Sequence, residues 1–246
     1  MPQFFVSPDQ IRDKLCTIIG EDYHHLTRVR RVREDDILTL MTEGGIALEA
    51  RIVAITEKAI VAEILDMPGD NSGPAGSPEE TLSLTLYMSL LKGKNFDLVI
   101  QKAVEIGVTA IVPVVTERTV PDIGKKQEEK LKRWNRIALE AAKQSLRKSV
   151  PPVSEILSFE EAVSLDVPGL KLLGHTGAPQ NLPSLLRGDG DTRKIHLLIG
   201  PEGGFSEEEV TLGENHGWHR AHFGASQLRA ETAALVLASV IVYERS

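Results

Sequence analysis

The sequence predicts an α/β protein with a small β-rich domain at its N-terminus, on three observations. Short β-rich stretches dominate residues 1–66. Residues 67–80, MPGDNSGPAGSPEE, hold three prolines, three glycines and two serines, can bury no face, and read as a linker. Beyond them strand and helix patterns alternate, which implies a parallel sheet covered by helices on both faces. The expected domains are residues 1–70 and 81–246, with 71–80 as the linker proper.

In the N-terminal part the strands are QFFV, DILTLM, IALEARIVAIT and AIVAEIL, and TEGG between the second and third is a hairpin signal. A short helix is expected near EDYHHLTRV, and the whole reads as a small barrel-like domain. In the C-terminal part Thr81–Met88 reads as a strand, and Asn95–Ile106 as a helix stopped by Gly107. AIVPVV is a strand, and Gln127–Lys148 a long helix ended before Pro151-Pro152. LKLLGH and IHLLIG are short buried strands that end in glycine. Ser206–Glu214 is a helix, HRAHFG a strand, and Ala230–Tyr243 a last helix, apolar nearly all round and so buried in a core or an interface.

Composition bounds the function. With 41% hydrophobic and 26% charged residues the chain is an ordinary soluble globular type. The single cysteine, Cys16, excludes an internal disulfide and a cysteine-rich metal site and fits a reducing compartment. The first residues lack a signal-peptide pattern, and the apolar run Ala233–Tyr243 is too short for a bilayer, so the chain reads as cytoplasmic, with no membrane partner. The net charge of −7 argues against nucleic acid, but the charge is unevenly placed. Residues 118–148 carry ten Lys/Arg against four Asp/Glu, and HHLTRVRRVR at 24–33 carries Arg28, Arg30, Arg31 and Arg33 with no acid. Both runs read either as solvated faces or as basic surfaces for RNA.

The stretch LLIGPEGGFSEEE, 197–209, joins a strand to a helix through a glycine turn. Ser206 and Glu209 form a capping-box pattern, and Glu207 and Glu208 fill the first turn. The helix end is therefore satisfied by its own acids, and a phosphate placed there would meet carboxylates. The Gly-Lys-Ser/Thr of a phosphate loop and the G-x-G-x-x-G of a dinucleotide fold are both missing. A neutral adenosine or a cationic group suits the turn better; a tight turn without a ligand is the plain alternative. FGASQLRAETAALVLASVIVY, 223–243, repeats the design: a strand end at Phe223-Gly224, then Arg229, Glu231 and Thr232 at a helix start. Arg229 is either a rigid cation at a pocket mouth or a structural partner of Glu231 or of a carbonyl. The glycine-bearing ends at Gly174, Gly200 and Gly224 could line one pocket, since ligands sit beyond the carboxyl ends of parallel strands.

LLIGPEGGFSEEE together with FGASQLRAETAA resembles the bacterial family of 16S ribosomal RNA uridine N3-methyltransferases (RsmE), of the knotted SPOUT class. HHLTRVRR, KGKNFDLVIQKAVEIGVTAIVPVVTERTV and RWNRIALEAAKQSLRKSVP are similar to further motifs of that family, in order. The match departs at Arg30-Arg31, at Asp35-Asp36, and at Phe223 and Gln227, where the family usually has aliphatics. The resemblance implies a PUA-like β-barrel, an α/β domain with a deep trefoil knot, S-adenosylmethionine as cofactor, a homodimer, and 16S rRNA of the small subunit as partner. The implied cofactor loops are Leu172, Leu173, Gly174 and His175; Ile199, Gly200, Gly203 and Gly204; and Phe223, Gly224, Ser226, Gln227 and Leu228.

For that reaction Arg229 would stabilise a developing uridinate, and Glu231 or Glu202 would take the N3 proton. The plain alternatives are that Glu231 caps a helix and Glu202 orders its turn. Glu140, Gln144 and Arg147 fall at i, i+4 and i+7 on one face of the long helix, opposite Trp134, Ile137, Ala138 and Ala141. With Lys102 and Arg118, they are expected RNA contacts; a salt-bridged solvent face is the alternative, for Lys102 and Glu105 as well. Competing functions are a nucleoside-phosphate hydrolase or kinase, a non-catalytic RNA-binding dimer, or methylation of another RNA nucleoside.

Overall fold

Alternation of apolar and polar residues forms the first sheet. The structure, a computed structural model, describes residues 4–42, 46–66, 82–120 and 126–246. The 67–80 segment, residue 81 of the strand expected from Thr81 and most of the TEGG turn lie outside the described residues. The chain divides into two units, Met1–Ser77 with Ala142–Val150, and Pro78–Ala141 with Pro151–Ser246.

In the first unit β1 (Phe4–Val6), β2 (Ile11–Arg12), β3 (Leu15–Ile19), β4 (Ile37–Thr42), β5 (Ala47–Ile55) and β6 (Ala59–Asp66) make one sheet in the order β1-β4-β5-β6-β3-β2. All pairs are antiparallel except β1 with β4. Period-two side chains, Leu38 and Leu40, Leu48, Ala50 and Ile52, Ile60, Ala62 and Ile64, meet in a single buried cluster. One cluster fed by five strands is what a sheet curled on itself produces. β2 and β3 were not expected from the sequence. Cys16 lies in the cluster, and burial pushes its thiol up to about 11. The expected short helix is present as α1 (Gly20–His24), which continues as a wider π-helical turn over His25–Arg30 and stops at left-handed Arg31 (φ 53°). Leu26 anchors that turn in the core, and Arg28, Arg30, Arg31 and Arg33 stay exposed.

The second unit is built on β7 (Ser83–Ser89), β8 (Ala110–Val115), β9 (Leu157–Ser158), β10 (Leu170–Gly174), β11 (Gln180–Asn181), β12 (Lys194–Ile199) and β13 (His219–His222). Their order is β11-β13-β10-β12-β7-β8-β9, and every pairing is parallel, as expected. Helices α2 (Asn95–Ile106), α3 (Gln127–Gln144), α4 (Phe159–Ser164), α5 (Leu182–Gly188), α6 (Glu207–Asn215) and α7 (Ala230–Glu244) follow the strands. Tyr87, Val112, Val114, Leu173 and Leu198 turn to one face and pack with Phe159, Val163, Phe205, Val210 and Trp218. The other face is covered by α7, which packs on β7, β12, α2 and α5 and buries Ala230, Ala234, Leu237, Ala238 and Ile241. None of the described helices is long and apolar enough to cross a membrane.

Two differences from the sequence reading have local causes. The long helix ends at Gln144, not Lys148: Leu146 takes φ 56°, and the Leu146 and Arg147 amides close back on the Lys143 and Ala142 carbonyls. Arg147 therefore lies past the helix and does not continue a stripe from Glu140. The unexpected helices α4 and α5 carry caps that the sequence does contain, a Ser158–Glu161 capping box and Asn181 as N-cap with Pro183 behind it.

His196 on β12 is partly buried, with its Nε2 3.2 Å from the Pro168 carbonyl oxygen and no partner for Nδ1. Burial holds its pKa below the ordinary histidine value, against the bond to Pro168. The unfolded chain then takes up the proton first as pH falls, so this residue costs stability on acidification and nothing above the ordinary histidine range. Melting temperature should fall between pH 7.5 and 5.5, and His196→Gln should narrow that drop; an equal drop in the variant would contradict the assignment.

Candidate functional site

Three neighbouring strands, β13, β10 and β12, end at one edge of the sheet, and each passes into a glycine-bearing turn. A parallel sheet binds ligands at this edge. Here the turns enclose a cavity of about 860 Å³. Cofactor sites typically measure roughly 300–1,000 Å³. Gly174, His175, Ile199, Gly200, Glu202, Gly203 and Gly204 line it, with Phe223, Gly224, Ser226, Gln227, Leu228, Arg229 and Glu231. The sequence missed Asn95, Thr176, Phe205, Glu207, Ala221, His222, Ala230, Ala233 and Leu237 in the same wall. Of these only Glu207 carried a signal, as the first residue after the cap. Leu172 and Leu173, expected at the cofactor, are fully buried in the sheet and do not line the cavity.

The glycines have specific reasons. At Gly174 a Cβ would sit 2.6 Å from Ile199 Cδ1, and at Gly200 it would lie 3.2 Å from the ring of Phe205, which is buried beneath the turn. Gly204 and Gly224 adopt φ 70° and 73°, conformations that side-chain-bearing residues avoid. At these positions the wall carries no side chain.

The capping box at the start of α6 is present: the Ser206 amide donates to Glu209 Oε2 at 2.9 Å and the Glu209 amide to Ser206 Oγ at 3.3 Å. Glu209 is 8% exposed and its other oxygen accepts the Glu117 amide at 2.8 Å, so one buried carboxylate joins α6 to the loop after β8. Glu202 does not order its own turn. Its Oε1 accepts the Lys92 amide at 3.0 Å, in the loop after β7. Arg118 Nη1 donates to the Gly203 carbonyl at 2.9 Å. His175 Nδ1 accepts the Gly177 amide, and His222 Nδ1 lies 3.2 Å from the Gly224 carbonyl oxygen.

Arg229 is the N-cap residue of α7, and its side chain makes no cap bond. Among the described residues neither Arg229 nor Glu231 forms a side-chain hydrogen bond or ion pair, so the structural Arg229–Glu231 pair is not made. Both groups stand at the cavity uncommitted. The wall holds Glu202, Glu207 and Glu231 against Arg118 and Arg229, with no lysine, which fits a cationic or neutral ligand better than a phosphate.

Other expected contacts lie elsewhere. Lys102 is bound to Glu105 at 2.8 Å from both carboxylate oxygens and does not line the cavity. Glu140, Gln144 and Arg147 are also outside the wall, and burial lowers the Arg147 pKa. Trp134, Ala138 and Ala141 are buried on one face of α3, as expected, with Ile137 half-buried and Trp134 tilted against Phe96, ring centroids 4.6 Å apart.

Comparison with known proteins matches this architecture. Residues 78–242 fit the model of an RNA methyltransferase domain, and residues 18–65 that of an RNA methyltransferase PUA domain. The ribosomal RNA small subunit methyltransferase E of Synechocystis is 32% identical over 235 residues, covering 94% of this chain and 74% of the relative. That of Mesomycoplasma hyopneumoniae is 30% identical and covers 96% and 97%. The crystal structure of the Neisseria gonorrhoeae enzyme of that name, bound to S-adenosyl methionine, aligns with a TM-score of 0.80 at 31% identity, covering 99% of this chain and 98% of that one. The chain belongs to the RNA methyltransferase family, and within it to the ribosomal RNA small subunit methyltransferases E.

Glu209→Ala removes the carboxylate half of the capping box of α6, the acceptor of the Ser206 amide, together with the acceptor of the Glu117 amide. The expected loss is about 2 kcal/mol, or several degrees in melting temperature. Glu208→Ala, exposed beside it, should change little. Equal melting temperatures for the two variants would contradict the linking role.

Proposed function

We propose that this protein transfers a methyl group from S-adenosylmethionine to N3 of a uridine in 16S RNA of the small ribosomal subunit. The observation that carries the reading is the glycine-walled cavity with Arg229 and Glu231 uncommitted at its edge. Its residues fit the cofactor: backbone of 174–175, 199–204 and 223–228 can hold a nucleoside, and the carboxylates suit a sulfonium. When bound, S-adenosylmethionine supplies an electrophilic methyl group on sulfur.

The chain's own residues align and activate the acceptor. Uridine N3 carries a proton and is a poor nucleophile until the proton leaves. Arg229 faces the base and stabilises the negative charge spread to the carbonyl oxygens beside N3. Glu231 takes the N3 proton at its carboxylate. Glu202 is the weaker candidate, because the Lys92 amide already occupies one of its oxygens. Arg28, Arg30, Arg31 and Arg33 in the first unit hold rRNA phosphates.

The reading extends to the chain's path and assembly. A trefoil knot in the second unit is supported by β13 lying between β10 and β11, two strands already joined by residues 175–179. A homodimer is supported by the apolar α7, whose Tyr243 is 82% exposed.

With small subunits lacking the modification as substrate, nucleoside analysis should reveal 3-methyluridine; a different product would overturn the base assignment. Arg229→Ala should lower turnover by about 10²–10³-fold while calorimetry still shows cofactor binding. Near-normal turnover would remove Arg229 from the mechanism. Replacing Arg31 and Arg33 with alanine should reduce the slope of log affinity for small subunits against log salt by about 1–2. An unchanged slope would take both arginines off the RNA surface.

A further inference from the structure

Most charged side chains on α2 and α3 are neutralised nearby. Lys102 is paired with Glu105, Lys132 with Glu128 and Arg133 with Asp97. The loops at the carboxyl edge differ. Lys92 and Lys94 follow β7, Arg118 follows β8, all three are exposed, and among the described residues none forms an ion pair. Gly93 between the lysines adopts φ 63°, and the Asn95 amide closes the turn on the Lys92 carbonyl at 3.4 Å. The Leu90 amide donates to Val114 at 3.0 Å, which sets the two loops side by side.

Both loops also hold the 200–204 turn. The Lys92 amide is bound by Glu202, and Arg118 donates one guanidinium N–H to Gly203 while its stem lies where a Cβ on Gly203 would be 3.3 Å away. The remaining guanidinium N–H groups of Arg118 are left for another acceptor. Arg118 shares the cavity wall with Glu202, Glu207 and Glu231, while Lys92 and Lys94, on the neighbouring loop, do not line it. Glu117, beside Arg118 in sequence, and Glu207, in the cavity wall, are exposed as well, so the positive charge is local and not a broad field.

We propose that Lys92, Lys94 and Arg118 grip a backbone phosphate of the RNA strand that presents the target base. The grip rests on the methyl-transfer reading and extends the site from Arg118 in the cavity wall to the lysines beyond it. A substrate without a phosphate next to the target base would lose it. Because Arg118 and the Lys92 amide also fix the 200–204 turn, filling the grip and filling the cavity favour each other.

The test uses the full-length protein and purified small subunits. Lys92→Gln with Lys94→Gln, both exposed, should raise KM for subunits about tenfold with kcat nearly unchanged, and lower the salt slope of binding by about 0.7, one single-strand phosphate contact. S-adenosylmethionine affinity should stay within about twofold in that variant and fall by a larger factor in Arg118→Gln, which also releases Gly203. An unchanged KM and salt slope in the double variant would overturn the grip. Wild-type protein that binds subunits yet forms no methylated nucleoside would overturn the methyl-transfer reading alone, with the salt slope still deciding the grip. Wild-type protein that binds no subunits would overturn both.

Discussion

The site depends on one constraint, the parallel hydrogen bonding that fixes β10 between β12 and β13. Parallel neighbours present the same end to the same edge, so three separate glycine turns meet there without any long-range contact designed for the purpose. Buried side chains of the strands hold this register. Leu172 and Leu197 point to the α7 face, and Leu173 and Leu198 to the Trp218 face. A shift of one residue would exchange these faces and move the glycines out of the edge.

Charge is sorted around that edge by hydrogen bonds to backbone amides. Glu209 and Glu202 each spend a carboxylate oxygen on the amide of a neighbouring loop, Glu117 and Lys92 respectively. Such bonds stabilise ionised carboxylates where a lysine is absent. The result is a wall that carries Glu202, Glu207 and Arg118, two uncommitted groups, Arg229 and Glu231, beside them, and Lys92 and Lys94 on the next loop. Each zone suits a different part of a methyl-transfer complex: a sulfonium inside, a base at Arg229 and Glu231, and phosphates beyond.

Much of this was legible in the sequence because the signals are local. Strand runs ending in glycine, the Ser206–Glu209 capping box and the Gly107 helix stop all act within a few residues, and the structure has them. The Arg229 position was legible from an apolar helix starting right behind it. What escaped was set at a distance. Leu172 and Leu173 were expected at the cofactor, yet their burial follows from neighbouring strands. The Glu202–Lys92 bond spans more than a hundred residues and leaves no local pattern. Arg147 was placed by helical period, and a single left-handed residue, Leu146, ended the helix before the period reached it. Ala142–Val150 group with the first unit although they begin within α3, most of which belongs to the second, which composition does not encode.

The most direct measurement is amide-resolved NMR of the protein titrated with S-adenosylmethionine, alone and in the presence of inorganic phosphate. The account predicts that the cofactor shifts amides at 174–177, 199–204 and 223–229 together, with one affinity, and that phosphate does not displace it. Cofactor shifts confined to another part of the sheet, or phosphate competing with the cofactor for the cavity, would contradict it.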